Sequence, residues 1–230
     1  MKINYPILFA FLLFAASCSK KDTAGTQPSQ SENYLTTSSG STWNYHQLQV
    51  DSTGATLVNS DYTITSTSKD SSINGRSYHV YNNSAGGNQY LNLSGNDYYQ
   101  YDSLPAGLGA GVFERLYLKD NANAGANWTQ SQNVTVAGFP FPIPITLTYK
   151  IAEKGISRTI NNITYTDVIH VSATISSSLI PATSLSSSSL DGYYAKKYGM
   201  IESSTLINLN YSGLVEYFNV SIKLMSSSLK

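Results

Sequence analysis

Gly40-Ser41-Thr42-Trp43 and Gly125-Ala126-Asn127-Trp128 open two stretches of the chain that read alike. After the first come Tyr62 and Ile64, then Ile73-Asn74-Gly75 and Tyr78; after the second come Tyr149 and Ile151, then Ile160-Asn161-Asn162 and Tyr165. The tryptophans stand 85 positions apart, and the pairs Tyr62/Tyr149, Ile64/Ile151, Asn74/Asn161 and Tyr78/Tyr165 each stand 87 apart. A register kept over that length points to a duplicated fold unit, with repeats of about 40–120 and 125–224. The matched residues are aromatic, aliphatic or turn-forming. The repeat is therefore read as scaffold, with both tryptophans buried at equivalent places.

On either side of these units the dominant period is two. Tyr62-Thr63-Ile64-Thr65 and Thr146-Leu147-Thr148-Tyr149-Lys150-Ile151 alternate apolar with polar, as do Phe218, Val220, Ile222 and Leu224 with the residues between them. Each stretch would put one face on a core and the other in water. Asn74-Gly75 is a strong turn signal, because a two-residue type I′ hairpin needs positive φ at both central positions. Asn161-Asn162 tolerates the same geometry. Adding the Tyr-rich pieces at 89–93, 97–101 and 193–198, the expectation is an all-β, mostly antiparallel curved sheet or half-barrel of roughly ten to twelve strands, with a two-sheet β-sandwich as the alternative.

The N-terminus carries an address. Lys2 precedes the apolar run Ile7 to Ala16, too short to span a bilayer comfortably, which reads as the core of a signal peptide covering 1–17. The run ends at Ala15-Ala16-Ser17-Cys18, and Cys18 is the only cysteine. This resembles a bacterial lipobox, which implies cleavage before Cys18 and a lipid on its thiol. Residues 18–34 are polar and aperiodic and read as a flexible, lipid-anchored tether, leaving 35–230 as a single β domain. Several acyl chains make such an anchor effectively permanent. Ser19 after the cysteine resembles outer-membrane sorting; the periplasmic or surface face stays open.

Composition excludes several roles. Charged residues are 12% of the chain, where about 25% is usual, and Lys+Arg equals Asp+Glu at 14 each, so nucleic acid is not an expected partner. His46, His79 and His170 stand in no metal-ligand spacing, and no metal or cofactor is expected. Asp167 and His170 are three apart, which in a regular strand places them on opposite faces. Asp167 then shares a face with Tyr165, Ile169 and Val171 and needs a strand-end position or a cationic partner. Gly107-Leu108-Gly109-Ala110-Gly111 lacks the rest of a phosphate-binding motif, and no Gly-x-Ser-x-Gly elbow occurs. Catalysis would need groups brought together by the fold alone, and no catalytic residue is assigned.

Two features suggest contacts. Ala137 to Pro144 alternates Pro with large apolar residues, including Phe139 and Phe141, and reads as an edge, a wide loop or a rim. Tyr98, Tyr99, Tyr101, Tyr193, Tyr194 and Tyr198 form two clusters that would suit either a half-buried strand face or a sugar platform.

Taken together, Cys18 with its polar tether, Gly-x-x-Trp at Trp43 and again at Trp128, Tyr165 to Val171, and Tyr193-Tyr194-Ala195-Lys196-Lys197-Tyr198-Gly199-Met200-Ile201-Glu202 resemble the uncharacterised envelope lipoproteins common in Bacteroidota. That resemblance spans almost the whole chain and brings no catalytic residues. The β pattern is also similar, at the level of fold alone, to lipid-carrying half-barrel lipoproteins. The functional expectation is a non-catalytic, lipid-anchored envelope lipoprotein that binds an apolar ligand or an envelope protein. The alternative is a surface carbohydrate-binding or carbohydrate-degrading protein.

Overall fold

Asn74 and Gly75 hold φ of 51° and 80°, and Asn161 and Asn162 hold 48° and 63°. Each pair closes a two-residue hairpin, between Ile73 and Arg76 and between Ile160 and Ile163. Gly95-Asn96 and Ser212-Gly213 close two more. Left-handed backbone at such turns matches the twist of the strands they join, which fixes register locally.

The computed structural model describes residues 33–103, 112–135, 141–185 and 187–230. The expected signal peptide, Cys18, Gly107 to Gly111 and Phe139 lie outside them, as does the tether up to residue 32. The first six strands are β1 (Thr42–Val50), β2 (Thr56–Ile73), β3 (Arg76–Asn83), β4 (Asn88–Ser94), β5 (Asp97–Ser103) and β6 (Val112–Lys119). The next six are β7 (Asn127–Val134), β8 (Ile143–Ile160), β9 (Ile163–Ser177), β10 (Ser189–Ala195), β11 (Gly199–Tyr211) and β12 (Leu214–Ser228). One short 3-10 turn spans Ala182–Ser184.

All twelve strands belong to one sheet, in the order β6-β5-β4-β3-β2-β1-β12-β11-β10-β9-β8-β7, and every neighbouring pair is antiparallel. The sheet curls into a nearly closed barrel. The curved-sheet expectation holds and the sandwich alternative does not, because the strands form one sheet. Each half of the chain is a six-stranded meander, and the halves meet through the full β1–β12 ladder.

The ring closes differently at its other junction. Among the described residues no backbone ladder joins β6 to β7. Side chains of β7 bridge instead: Trp128 Nε1 donates to Leu116 O at 2.9 Å, Leu116 N donates to Gln130 Oε1 at 2.8 Å, and Gln130 Nε2 donates to Glu114 O at 3.4 Å. Two otherwise unpaired sheet edges are thereby covered, which is how a protein blunts an edge that would template aggregation. Gln130→Leu should cost about 1–3 kcal/mol, because it orphans an edge N–H and C=O. Faster hydrogen exchange at Leu116 is the expected signature, and an unchanged rate there would refute the bridging role.

The residues 87 apart are buried in both halves: Tyr62 and Tyr149, Ile64 and Ile151, Tyr78 and Tyr165. The tryptophans differ. Trp43 is 4% exposed, stands opposite Ile64 and meets the edge of the Tyr81 ring at 5.9 Å. Trp128 is only half-buried and stands opposite Tyr149, the counterpart of Tyr62, so its register is shifted by two residues. The expectation that both rings are buried is corrected on this point. Trp128 lies on a sheet edge, where no ladder neighbour covers it.

A second correction concerns the tether, expected to run to residue 34. Tyr34 is 3% exposed, its hydroxyl donates to Asp167 O at 2.9 Å, and its N–H donates to the Tyr98 hydroxyl at 3.2 Å. Tyr81 Oη donates to Thr36 O, and Lys197 N donates to Asn33 O. Residues 33–37 therefore plug one end of the barrel. A buried aromatic and several satisfied backbone groups outweigh the local polarity that made the segment look like linker.

Candidate functional site

The face that points into the barrel is set by alternation. Trp43, Tyr45 and Gln47 on β1, Gln100 and Asp102 on β5, Phe113, Arg115 and Tyr117 on β6, and Leu147 and Tyr149 on β8 all look inward. They enclose two adjoining cavities. The larger, about 370 Å³, is walled by Tyr34, Trp43, Tyr45, Tyr117, Tyr149 and Tyr194 together with Gln100, Asp102 and Arg115. The smaller, about 210 Å³, is walled by Phe113, Val134, Ile143, Ile145, Leu147, Ile175, Ile180, Leu185, Ile207, Leu209 and Phe218. Asp102, Arg115, Leu190, Thr205 and Phe218 belong to both walls. Such a lumen has the size and apolar character of a small-molecule site.

Arg115 is the one cation on these walls. It stands directly across from Gln100 in the β5–β6 ladder, with Asp102 on the diagonal. Its Nη2 donates to Gln100 Oε1 at 2.5 Å, and Gln100 Nε2 donates to Asp102 Oδ2 at 3.0 Å. Burial opposes the guanidinium charge, and Tyr149, Tyr194 and Asp102 beside it more than offset this, so Arg115 stays charged. Burial pushes the Tyr149 hydroxyl up to about 12, with the Arg115 charge pulling the other way. Gly192 shapes the same wall: a Cβ there would lie 2.7 Å from Tyr194 Oη, so only glycine lets the Tyr194 ring fold over it.

The two ends of the barrel differ. The plug of residues 33–37 closes the end that carries the β2–β3, β4–β5, β8–β9 and β10–β11 turns. Leu57, Val112, Phe141, Leu179 and Val215 are all exposed and all lie at the opposite end, next to the smaller cavity. No lysine or arginine stands in the described connections at that end. Phe141, singled out by the Pro/Phe alternation, is thus part of an apolar rim.

The histidines fall into separate structural ties. His46 pairs with Asp61 at 2.7 Å on the surface. His170 lies between Glu153 at 3.1 Å and Asp191 at 2.8 Å and stacks on Tyr193 at 4.2 Å, apart from Asp167. Asp167 sits in a bulge with φ 56°, since Thr166 and Asp167 together face one residue between Ile156 and Arg158. The bulge turns Asp167 out of the face it would share with Tyr165 and Ile169, and it pairs with Lys196 at 2.5 Å. This corrects its expected placement and supplies the cationic partner it needed.

His79 makes a Ser–His–Asp arrangement, with Nε2 2.9 Å from Ser66 Oγ and Nδ1 2.9 Å from Asp70 Oδ1. Ser66 Oγ also lies 3.0 Å from Thr37 O of the plug and is 1% exposed. A nucleophilic serine must reach substrate and hand its proton to the histidine. Here the hydroxyl is covered and shares its proton with a backbone carbonyl, so the trio ties the plug to β2 and β3.

The tyrosine clusters are likewise occupied by the protein itself. Tyr98 and Tyr194 are core residues. Tyr99 lies under the Arg76 guanidinium at 3.6 Å, Tyr193 under Arg158 at 3.6 Å, Tyr101 beside Tyr78 and Tyr198 beside Tyr165. No motif marks Arg115 or Asp102 in the sequence, although Phe113-x-Arg115-x-Tyr117 does put a charge on an apolar strand face.

No family model matches the chain, and no curated protein does. Among solved structures, a candidate lipoprotein from Parabacteroides distasonis ATCC 8503 matches 86% of this chain and 99% of its own, with a TM-score of 0.43 and 9% identity.

Proposed function

We propose that this protein is a non-catalytic, lipid-anchored envelope lipoprotein that holds an apolar ligand inside its barrel. The observation that carries the reading is the pair of adjoining cavities, one walled mostly by Ile, Leu, Val and Phe. The plug at one end and the exposed apolar residues at the other, where the described connections hold no lysine or arginine, support a ligand passing in at the rim. Cys18, behind a signal-peptide-like run, supports an anchor that leaves the barrel free to face its surroundings, with the outer membrane as the proposed location. The carbohydrate alternative is not favoured, because the rings it would need are covered by Arg76, Arg158 and neighbouring tyrosines.

One preparation tests both halves. Labelled fatty acid should enter the wild-type protein and not Cys18→Ser, and a native mass spectrum of Cys18→Ser should show a non-covalent apolar guest that organic extraction removes. Equal labelling of the two proteins would sink the anchor. A spectrum free of any guest, together with failure to take up an apolar fluorescent dye after extraction, would sink the lumen reading.

A further inference from the structure

Among the described residues, three buried side-chain polar atoms have no hydrogen-bond partner: Trp43 Nε1, Arg115 Nε and Tyr149 Oη. All three belong to residues on the wall of the larger cavity. Indole and guanidinium nitrogens only donate, and the phenol has one proton to give. Native proteins rarely leave such groups unpaired, and each case calls for a cause. A cause common to all three is a guest that brings acceptors and needs no donors.

Charge narrows the class further. Arg115 and Asp102 belong to one hydrogen-bonded network through Gln100, so the positive charge at the junction of the cavities already has a negative counterpart. The other carboxylate on the two walls that is not paired outward is Glu216, since Asp191 turns to His170 on the outer face. A carboxylate guest would bring a further negative charge into a poorly solvated space, at a cost that a neutral oxygen avoids.

We infer that the lumen takes a neutral apolar guest bearing carbonyl oxygen, of the ester or ketone type. Arg115 and Tyr149 donate to its oxygen, and its hydrocarbon part lies among Ile143, Ile145, Leu209 and Phe218. This rests on the lumen being the binding site, and it adds which head group that site selects. The donor atoms are covered by the wall, so the oxygen reaches them through a rotamer-scale shift of either side chain. Trp43 Nε1 offers a third point for a guest with a second oxygen.

The test displaces an apolar fluorescent dye from delipidated full chain with methyl laurate, laurate and dodecane, in wild type and in Tyr149→Phe. Methyl laurate should bind about tenfold tighter than dodecane and tighter than laurate. Tyr149→Phe should weaken methyl laurate roughly two- to tenfold, the range of one net hydrogen bond, and leave dodecane unchanged. The same variant should raise the Tm of the ligand-free protein, since it deletes an unpaired buried hydroxyl. If dodecane matches the ester in both proteins, or laurate binds best, the head-group assignment falls and the lumen reading stands. If Tyr149→Phe lowers Tm and weakens all three alike, Tyr149 is structural and the assignment also falls. If the dye does not bind at all, both readings fall.

Discussion

Raising the pH from about 10 to about 12 should unfold the protein in one cooperative step. Tyr45, Tyr62, Tyr81, Tyr117, Tyr149 and Tyr194 are all 9% exposed or less and line the lumen. Burial raises the pKa of each, and Tyr62 and Tyr149 reach about 12 against a usual value of 10. The folded state therefore keeps protons that the unfolded chain gives up. Stability from this source is complete below pH 10 and is lost as pH climbs through the folded-state values. Each such group removes about 1.4 kcal/mol per pH unit across its window. Several together exhaust a typical stability of about 5–15 kcal/mol within one or two pH units. Tyrosinate absorbance should rise sharply together with loss of circular dichroism. A smooth titration centred near pH 10 with the fold intact would show that these rings are not held as described.

Trp43→Ala should be the most damaging single truncation, costing about 3–5 kcal/mol. Trp43 packs with Tyr81, Ile64, Ile201 and Leu224 in one core cluster, and its strand is the one that pairs with both β2 and β12. Loss of the ring therefore loosens the ladder that joins the two meanders. Trp43→Phe should cost far less, since it keeps the aromatic contact and removes an N–H that has no partner. Urea unfolding measures both. A loss below about 1 kcal/mol for the alanine variant would contradict the burial that assigns Trp43 its role.

What the chain declares about itself is mostly local. Asn74-Gly75 and Asn161-Asn162 announce their hairpins because positive φ is a property of the residues themselves, and period-two alternation announces which side chains point inward. The 87-residue spacing picks out side chains that are buried in both halves. What stays hidden depends on closure. Nothing near Trp128 says that its strand will sit at an unpaired edge, and nothing near Tyr34 says that a barrel end will receive it. The bulge at Asp167 reverses a facing inferred from simple alternation. Arg115 is visible as a charge on an apolar face, but its partners Gln100 and Asp102 come from a strand joined through a connection that carries no signal of pairing.

The side-chain bridge between β6 and β7 also makes the barrel mechanically uneven. Elsewhere around the ring, widening means parting a backbone ladder whose bonds must break together. At this one place it means loosening three bonds made by Trp128 and Gln130, each worth about 0.5–1.5 kcal/mol. Arg115 stands beside Glu114 and Leu116, whose backbone groups are the other half of that bridge. Strain from an oversized guest, if one is held at Arg115 as proposed, would be taken up where the ring yields most easily. The barrel behaves as a split ring, stiff along its strands and compliant across a single cut.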